Sequence, residues 1–382
     1  MRLAKPETGP DWHVIPRFKS RPLGWPCLLA SMLWVLLVEV GHGREMPNHA
    51  VILQYHHVNA DTPASTSVTP EQFREHLEAI EAGGHPVLSL TDVAEALNQG
   101  TELPDRTVVI TFDDGYRSVY EAAFPLLRER GWPFTVFVHT EPLDYRNPLF
   151  VSWDQLREMA AAGATVANHT RTHAHLLRRE AGEAKDDWAD RVRGEIRDAQ
   201  QRIEQELGPS PAYLAYPYGE YSPEVERIVA ALGFLGFGQH SGAWGSNESS
   251  TSIPRYPASG VYADVQALRT KLASLPLPVL EHRPEGGLVE HTEHAPDLEL
   301  DVAPGAYRAD QFACYASGQG PVAAEWRPNE GGGGILRVRP HSGLPVGRSR
   351  YNCTAPHRSE PRYYWYSFPW YRKTADGGWV PD

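Results

Sequence analysis

Three features are scarce in this chain of 382 residues: positive charge, long apolar runs and cysteine. Lysine and arginine total 36, against 48 aspartates and glutamates, so the net charge is −12. A negative balance of this size argues against nucleic acid as a partner and does not suit an anionic lipid headgroup. The 41% hydrophobic content still allows a sizeable core, and the length favours more than one domain.

The apolar stretch near the amino terminus is short. It extends from Leu28 to Val38, whereas a helix that spans a membrane needs about 20 apolar residues. Basic residues between Arg17 and Arg21 precede it, and small residues between Gly41 and Gly43 follow it, as in a secretory signal. We therefore predict that residues 1–46 are a signal peptide or, alternatively, a membrane anchor. The protein is expected to be exported, either periplasmic or secreted, or tethered to the membrane.

The three cysteines restrict the redox chemistry. Cys27 precedes the apolar stretch instead of following it, which argues against a lipoprotein anchor. Cys314 and Cys353 form an even pair in a chain that we expect to be exported, so we predict a disulfide between them. On the chain-entropy account, such a bridge stabilises the fold by roughly 4 kcal/mol.

Two adjacent aspartates follow a predicted buried strand. Residues 107–112 are apolar and β-branched, and Asp113 and Asp114 come directly after them, before Gly115. Because a strand alternates its side chains, these aspartates point in different directions, and one can bind a metal while the other stays free. A surface turn is the alternative interpretation of Asp-Asp-Gly taken alone.

A pair of histidines supplies further ligands. His169 and His173 are four residues apart, a spacing that lets two imidazoles reach one ion from a helical turn or a tight loop. With 17 histidines in the chain, such a pair is not rare by chance. Its position after the apolar segment 164–167 strengthens the interpretation. Asp114, His169 and His173 are thus predicted to bind a metal with one position left open, which is the arrangement of a hydrolase.

The organisation of the chain changes near residue 282. Before it, strand patterns alternate with helix patterns, which predicts a parallel sheet whose ligands lie at the carboxyl ends of the strands. After it there is no clear helical period, and residues 284–382 are predicted to form a small all-β, sandwich-like domain. The aromatic stretch from Tyr363 to Tyr371 either offers planar faces to sugar rings or, as the favoured interpretation, fills the core.

These motifs resemble those of the polysaccharide deacetylases, the NodB-homology group of carbohydrate esterase family 4. The matching segments are Thr111 to Gly115, His169 to His173 and Tyr216 to Gly219, while Gln54 to Val58 is similar to the poly-N-acetylglucosamine deacetylase subgroup. The resemblance implies an α/β fold with an irregular (β/α)7 barrel over residues 47–283 as the catalytic domain.

The resemblance also implies an activity. We expect a metal-dependent enzyme that removes acetyl groups from N-acetylglucosamine units of a polysaccharide, with Asp113 as general base and metal-bound water as nucleophile. Zinc fits a site of two histidines and a carboxylate, with Co²⁺, Ni²⁺ or Fe²⁺ as alternatives. Chitin-type oligosaccharide, peptidoglycan and O-acetylated xylan are alternative substrates, and a non-catalytic glycan-binding protein is the alternative from another class.

The sequence departs from the family at Ala215, where an arginine that orients the catalytic aspartate is often found. Arg255, at the end of another predicted strand, is the candidate to replace it, although an arginine on a loop is the plainer interpretation. His240 and His282 are candidates for the general acid, with a structural role as the alternative. The residues predicted to contact substrate are His56, Tyr116, Tyr218 and Arg255.

Overall fold

The structure is a computed structural model that describes residues 46–290 and 296–380. The predicted leader, apart from Met46, lies outside the described residues. None of the helices within them is long and apolar enough to cross a membrane. The helices are α1 Pro70–Ala82, α2 Leu90–Gln99, α3 Phe124–Arg130, α4 Thr140–Asp144, α5 Trp153–Ala161, α6 Lys185–Leu207, α7 Pro223–Ala231 and α8 Val265–Leu272.

The strands form two large sheets and one short pair. They are β1 His49–Tyr55, β2 His57–Val58, β3 Ser67–Val68, β4 Thr107–Phe112, β5 Thr135–Val138, β6 Thr165–Asn168, β7 Tyr213–Ala215, β8 Leu235–Phe237, β9 Trp244–Gly245, β10 Tyr256–Pro257, β11 Leu275–Pro276, β12 Val279–Arg283, β13 Leu288–Val289, β14 Leu298–Val302, β15 Ala313–Ala316, β16 Gly320–Pro328, β17 Gly334–Arg339, β18 Gly347–Pro356 and β19 Tyr363–Arg372.

Local sequence signals explain where several helices begin. Thr69 caps α1 through a capping box with Gln72, and Pro70 occupies the first helical turn. Ser152 and Gln155 form the same box at α5. Ser89 caps α2 by accepting a hydrogen bond from the backbone N–H of Asp92.

The first sheet is parallel along the order β10-β1-β4-β5-β6-β7-β8, with β9 antiparallel to β1. Strands β1, β4 and β5 are buried along their whole length, as expected when helices cover both faces of a sheet. A parallel bridge between Phe237 and Ile253 connects β8 with the chain just before β10, so the sheet curls. The predicted parallel α/β arrangement is confirmed.

This topology brings polar residues together at one edge of the sheet. Parallel strands end on the same side, and the residues that directly follow five of these strands carry polar or titratable side chains. They are His56 after β1, Asp113 after β4, His139 after β5, His169 after β6 and Tyr216 after β7.

The second sheet has the order β11-β19-β18-β15-β16-β17-β14-β12, with β13 also paired to β19. It begins at Leu275, ahead of residue 284, where the β-rich domain was predicted to start. Cys314 and Cys353 lie directly opposite each other on β15 and β18 and form the predicted disulfide. Of the aromatic stretch, Tyr364, Phe368 and Trp370 are buried in the core of this sheet, in line with the favoured interpretation.

Candidate metal centre

Three side chains converge at the carboxyl edge of the first sheet. The Nε2 atoms of His169 and His173 lie 3.1 and 3.2 Å from Oδ1 of Asp114, and one ligand atom from each residue falls within 4.8 Å of the others. Asp114 Oδ1 is buried, yet it accepts no hydrogen bond from the described residues. A buried acceptor without a partner is costly, and a divalent ion at this point would satisfy it.

A hydrogen bond fixes which nitrogen of His169 can act as a ligand. Its Nδ1 lies 2.8 Å from the carbonyl oxygen of Ala215 and donates to it. The Nε2 lone pair then points toward Asp114, which is the usual arrangement of a metal-bound histidine. The donor set therefore fits a metal, as the sequence predicts.

The backbone is unusual where these residues lie. Asp114, Thr170, His173 and Tyr218 have φ values of 70°, 68°, 63° and 59°, a left-handed region that residues other than glycine seldom adopt. Gly115 also has a positive φ, and a Cβ there would meet Val138 Cγ1 at 2.9 Å. Strained residues of this kind cluster at functional sites, where the surrounding structure holds them in place.

Side chains hold the loop between the two histidines. Asn168 Oδ1 accepts a hydrogen bond from Thr170 N at 2.8 Å, and Thr170 Oγ1 accepts one from His173 N at 3.0 Å. Glu195 of α6 accepts from the next two backbone N–H groups, at residues 171 and 172. The histidines therefore come from a tight loop, one of the two predicted alternatives.

Asp113 is held by Arg255. The guanidinium Nη1 and Nη2 atoms lie 2.7 Å from Oδ1 and Oδ2 of Asp113, and Gln54 Nε2 donates to Oδ2 at 2.6 Å. Arg255 thus makes the contact with Asp113 that the family resemblance would lead one to expect from an arginine at position 215. Arg255 has no exposed surface, so its grouping with substrate-contacting residues is wrong: its contacts with the site go through Asp113.

The surrounding charges keep both carboxyl groups ionised. Burial alone would raise the pKa of Asp113, but Arg255 and then His169 outweigh it, so the pKa is lowered. For Asp114, burial is likewise outweighed, by contacts with His169 and His173, and its pKa lies well below the usual value. One carboxylate faces the histidines while the other is paired with a guanidinium.

Both predicted tyrosines lie beside this cluster. Tyr116 stacks on His57 with ring centroids 3.5 Å apart, and burial, followed by Asp114, raises the pKa of its phenol, which therefore stays neutral. Tyr218 contacts His173 edge-on, with centroids 4.5 Å apart, and stacks on His175 at 3.8 Å.

Two further histidines border the centre. His56, a predicted substrate contact, is close enough to both aspartates to help lower their pKa values after the larger contributions named above. The ring of His139 lies 5.3 Å from that of His173, and burial lowers its pKa to about 3. The sequence prediction missed His139, although its position directly after β5 is the same kind of signal that identified the two aspartates and His169.

The two candidate general acids line one cavity. It has a volume of about 530 Å³, and its described lining includes neither aspartate nor either candidate ligand histidine. His282 belongs to β12 of the second sheet and packs edge-on against Phe368. The role of His240 and His282 as general acids therefore stays a prediction.

Comparison with known proteins gives consistent matches. Residues 100–237 match the family model for polysaccharide deacetylases. YxkH of Bacillus subtilis, a putative polysaccharide deacetylase, is 24% identical over 216 residues, which cover 56% of this chain and 73% of that protein. The poly-beta-1,6-N-acetyl-D-glucosamine N-deacetylase of Escherichia coli strain K12 is 25% identical over 244 residues.

The Escherichia coli match covers 54% of this chain but only 36% of that protein. Among solved structures, IcaB from Ammonifex degensii superposes with a TM-score of 0.52 at 24% identity, over 58% of this chain and 97% of IcaB. The α/β fold of the chain is therefore shared with that structure.

Proposed function

We propose that this chain, which matches the family model for polysaccharide deacetylases over residues 100–237, hydrolyses acetyl groups from N-acetylglucosamine units of a polysaccharide in a metal-dependent reaction. The observation that carries this proposal is the buried carboxylate of Asp113, held by Arg255 beside the set Asp114, His169 and His173. A protein that only bound glycans would have no need of a second, oriented carboxylate at this position.

The site residues have distinct roles. Asp114, His169 and His173 would hold a divalent ion, for which zinc is the simplest choice, and such an ion lowers the pKa of water to about 7 and polarises a carbonyl group. Asp113 accepts the proton of the attacking water as general base. Arg255 and Gln54 fix the orientation of that carboxylate by hydrogen bonds to both of its oxygens.

The remaining roles follow from position. Tyr116, Tyr218 and His56 border the centre and are assigned to the substrate. We do not assign the acid role to His240 or His282, because the cavity that both rings line includes none of Asp113, Asp114, His169 and His173 among its described residues. Residues 47–283 were predicted to be an irregular (β/α)7 catalytic barrel and residues 284–382 an all-β domain. Because β11 and β12 pair within the second sheet, the boundary is proposed to lie ahead of Leu275. Residues 1–46 are proposed to direct export to the periplasm or the exterior, with a membrane tether as the alternative.

The substrate assignment rests on the subgroup. The Escherichia coli relative is named for a β-1,6-linked N-acetylglucosamine polymer, and Gln54, which belongs to the segment that resembles this subgroup, holds the general base. The name of this relative and the position of Gln54 together favour a polymer of N-acetylglucosamine over O-acetylated xylan as the substrate.

Acetate release tests the proposal. Purified protein would be incubated with β-1,6-linked N-acetylglucosamine oligomers, chitin oligomers, peptidoglycan and acetylated xylan, before and after removal of metal by a chelator. We expect release from N-acetylglucosamine oligomers that stops on chelation and returns on adding Zn²⁺. A protein that binds metal yet releases no acetate from any of these glycans would instead be a glycan-binding protein.

A further inference from the structure

Another cavity, of about 470 Å³, shares one aromatic side chain with the surroundings of the candidate metal centre. Phe150 lines this cavity and also stacks on Tyr116, with ring centroids 5.1 Å apart. Most of the remaining wall comes from the loop between α4 and α5 and from the adjoining parts of α5 and α6. The described lining includes neither Asp113 nor any of the three candidate ligands, so the cavity is distinct from the metal centre.

The wall of this cavity carries more positive than negative charge. Of its described lining residues, four are arginines and three are acidic, in a chain whose net charge is −12. Arg157 pairs with Asp154 and Glu206. Arg202 pairs with Asp144 at 2.9 Å and with Glu206 at 2.5 Å. All three acidic groups are therefore engaged by two of the four arginines.

The other two arginines, Arg117 and Arg146, form no ion pair with a carboxylate of the described residues. Arg117 Nε is buried and finds no acceptor among those residues. A buried N–H group without an acceptor is costly, which points to an acceptor that the described side chains do not supply. Arg146 is held in the loop after α4 with a φ of 54°, and its backbone N–H donates to the carbonyl oxygen of Leu143 at 3.1 Å.

Two neutral side chains add hydrogen-bond donors to the same wall. Asn147 Oδ1 accepts from the backbone N–H of Leu149 at 3.0 Å, which orients its amide, and the Nδ2 group donates to none of the described residues. Ser152 Oγ accepts from the backbone N–H of Gln155 at 3.2 Å, so its own O–H can donate elsewhere. The cavity therefore offers charged and neutral donors together, which is the composition of an anion site.

We propose that this cavity binds a phosphate group, which accepts hydrogen bonds from the guanidinium groups of Arg117 and Arg146. A guanidinium presents a planar fork of N–H donors that matches two oxygens of an oxyanion. A phosphate ester offers three terminal oxygens and about −1.5 to −2 charge at pH 7, whereas a carboxylate offers two oxygens and one charge. Two forks therefore favour phosphate. The group is either inorganic phosphate or a phosphate carried by a sugar, and the site does not depend on the proposed function.

Calorimetric titration of inorganic phosphate into the metal-loaded protein tests the site. We expect one phosphate per chain, with an affinity that falls as salt is added, because salt screens the attraction between the charges. Arg117→Gln and Arg146→Gln should each weaken binding by on the order of tenfold, since each removes a hydrogen bond between charged groups, and the double variant should abolish binding. Arg117→Lys keeps the charge but loses the fork, so its affinity should lie between those of wild type and Arg117→Gln.

The matched control is Arg327→Gln on β16. Arg327 has a side chain that is 69% exposed and does not line the cavity, so the wild-type affinity is expected. His169→Ala should also bind phosphate, because the described lining of the cavity includes no candidate metal ligand. Phosphate binding that is lost in His169→Ala and kept in the double variant of Arg117 and Arg146 would place the anion at the metal centre and overturn the proposal. Wild type that binds no phosphate would overturn it as well.

N-acetylglucosamine 6-phosphate distinguishes the two sources of the group. Tighter binding of this compound than of inorganic phosphate indicates a phosphate carried by a sugar, and equal binding indicates the free anion; both results support the site. Acetate, titrated into the His169→Ala protein, should bind more weakly than phosphate, and tighter binding would overturn phosphate as the ligand. The deacetylase is judged separately, by acetate release from N-acetylglucosamine oligomers that carry no phosphate.

Discussion

The first sheet is parallel and buried on both faces, whereas the second is mostly antiparallel, and along strands such as β18 buried side chains alternate with more exposed ones. Parallel strands all end at one edge, so the residues that follow them meet in space. Antiparallel strands end at both edges and gather no such cluster, and the second sheet contacts the first through β18, where Arg350 Nη1 donates to the carbonyl oxygen of Gln239. The proposed chemistry is therefore assigned to the first sheet.

The largest effect that we predict from this difference is the loss of activity in Asp113→Asn. The amide cannot accept the proton, so acetate release should fall by about 10²–10⁴-fold, the usual contribution of a general base. Metal content should stay at the wild-type level, because Asp114 and the histidines remain.

The control for this variant is Asp154→Asn on α5, whose carboxylate is 94% exposed and should be dispensable. Comparable activity of Asp113→Asn and Asp154→Asn would remove Asp113 from the mechanism.

Arg255→Met should affect stability next most strongly. It leaves the buried Asp113 carboxylate without its guanidinium, and breaking a buried ion pair typically costs about 3–5 kcal/mol. Denaturant unfolding would measure the free energy, and the double variant Asp113→Asn with Arg255→Met should regain part of the loss. A double variant that loses as much as the sum of both single variants would show that the two side chains do not act as a pair.

Arg255 and the other site residues also show how much of the candidate site can be predicted from the sequence. The aspartates and His169 were predicted because they follow strands and such positions converge in a parallel sheet, whereas Arg255 lies directly before β10 and was predicted because a guanidinium can pair with a carboxylate. His139 obeys this rule as well, yet it belongs to no recognised motif and was missed. His282 was chosen by a loose similarity of motif, and it lies on the second sheet, where strand ends do not converge.

Removal of the disulfide should act on the second sheet alone. The double variant Cys314→Ala with Cys353→Ala loses a bridge between adjacent strands, and such losses typically cost roughly 2–4 kcal/mol. Thermal unfolding should show the loss, while metal content at room temperature stays unchanged. Loss of metal from the folded double variant would mean that the disulfide of the second sheet also supports the candidate metal centre.

The smallest effect is expected from Tyr371→Phe. Its hydroxyl donates to the carbonyl oxygen of Gly219 at 2.6 Å and joins β19 to the loop after β7. Loss of one such hydrogen bond should reduce the free energy of unfolding by about 1 kcal/mol. Tyr363→Phe, at a residue that is 44% exposed, is the control and should be neutral in the same denaturation experiment.

The proposed metal centre is tested most directly by measuring the metal content of wild type and His169→Ala together with acetate release on the same samples. We expect one ion per chain in wild type, held by Asp114, His169 and His173, and loss of both the ion and the activity in the variant. His341→Ala, in the loop between β17 and β18, should retain both. A His169→Ala protein that keeps the ion and releases acetate at the wild-type rate would contradict the proposed metal centre.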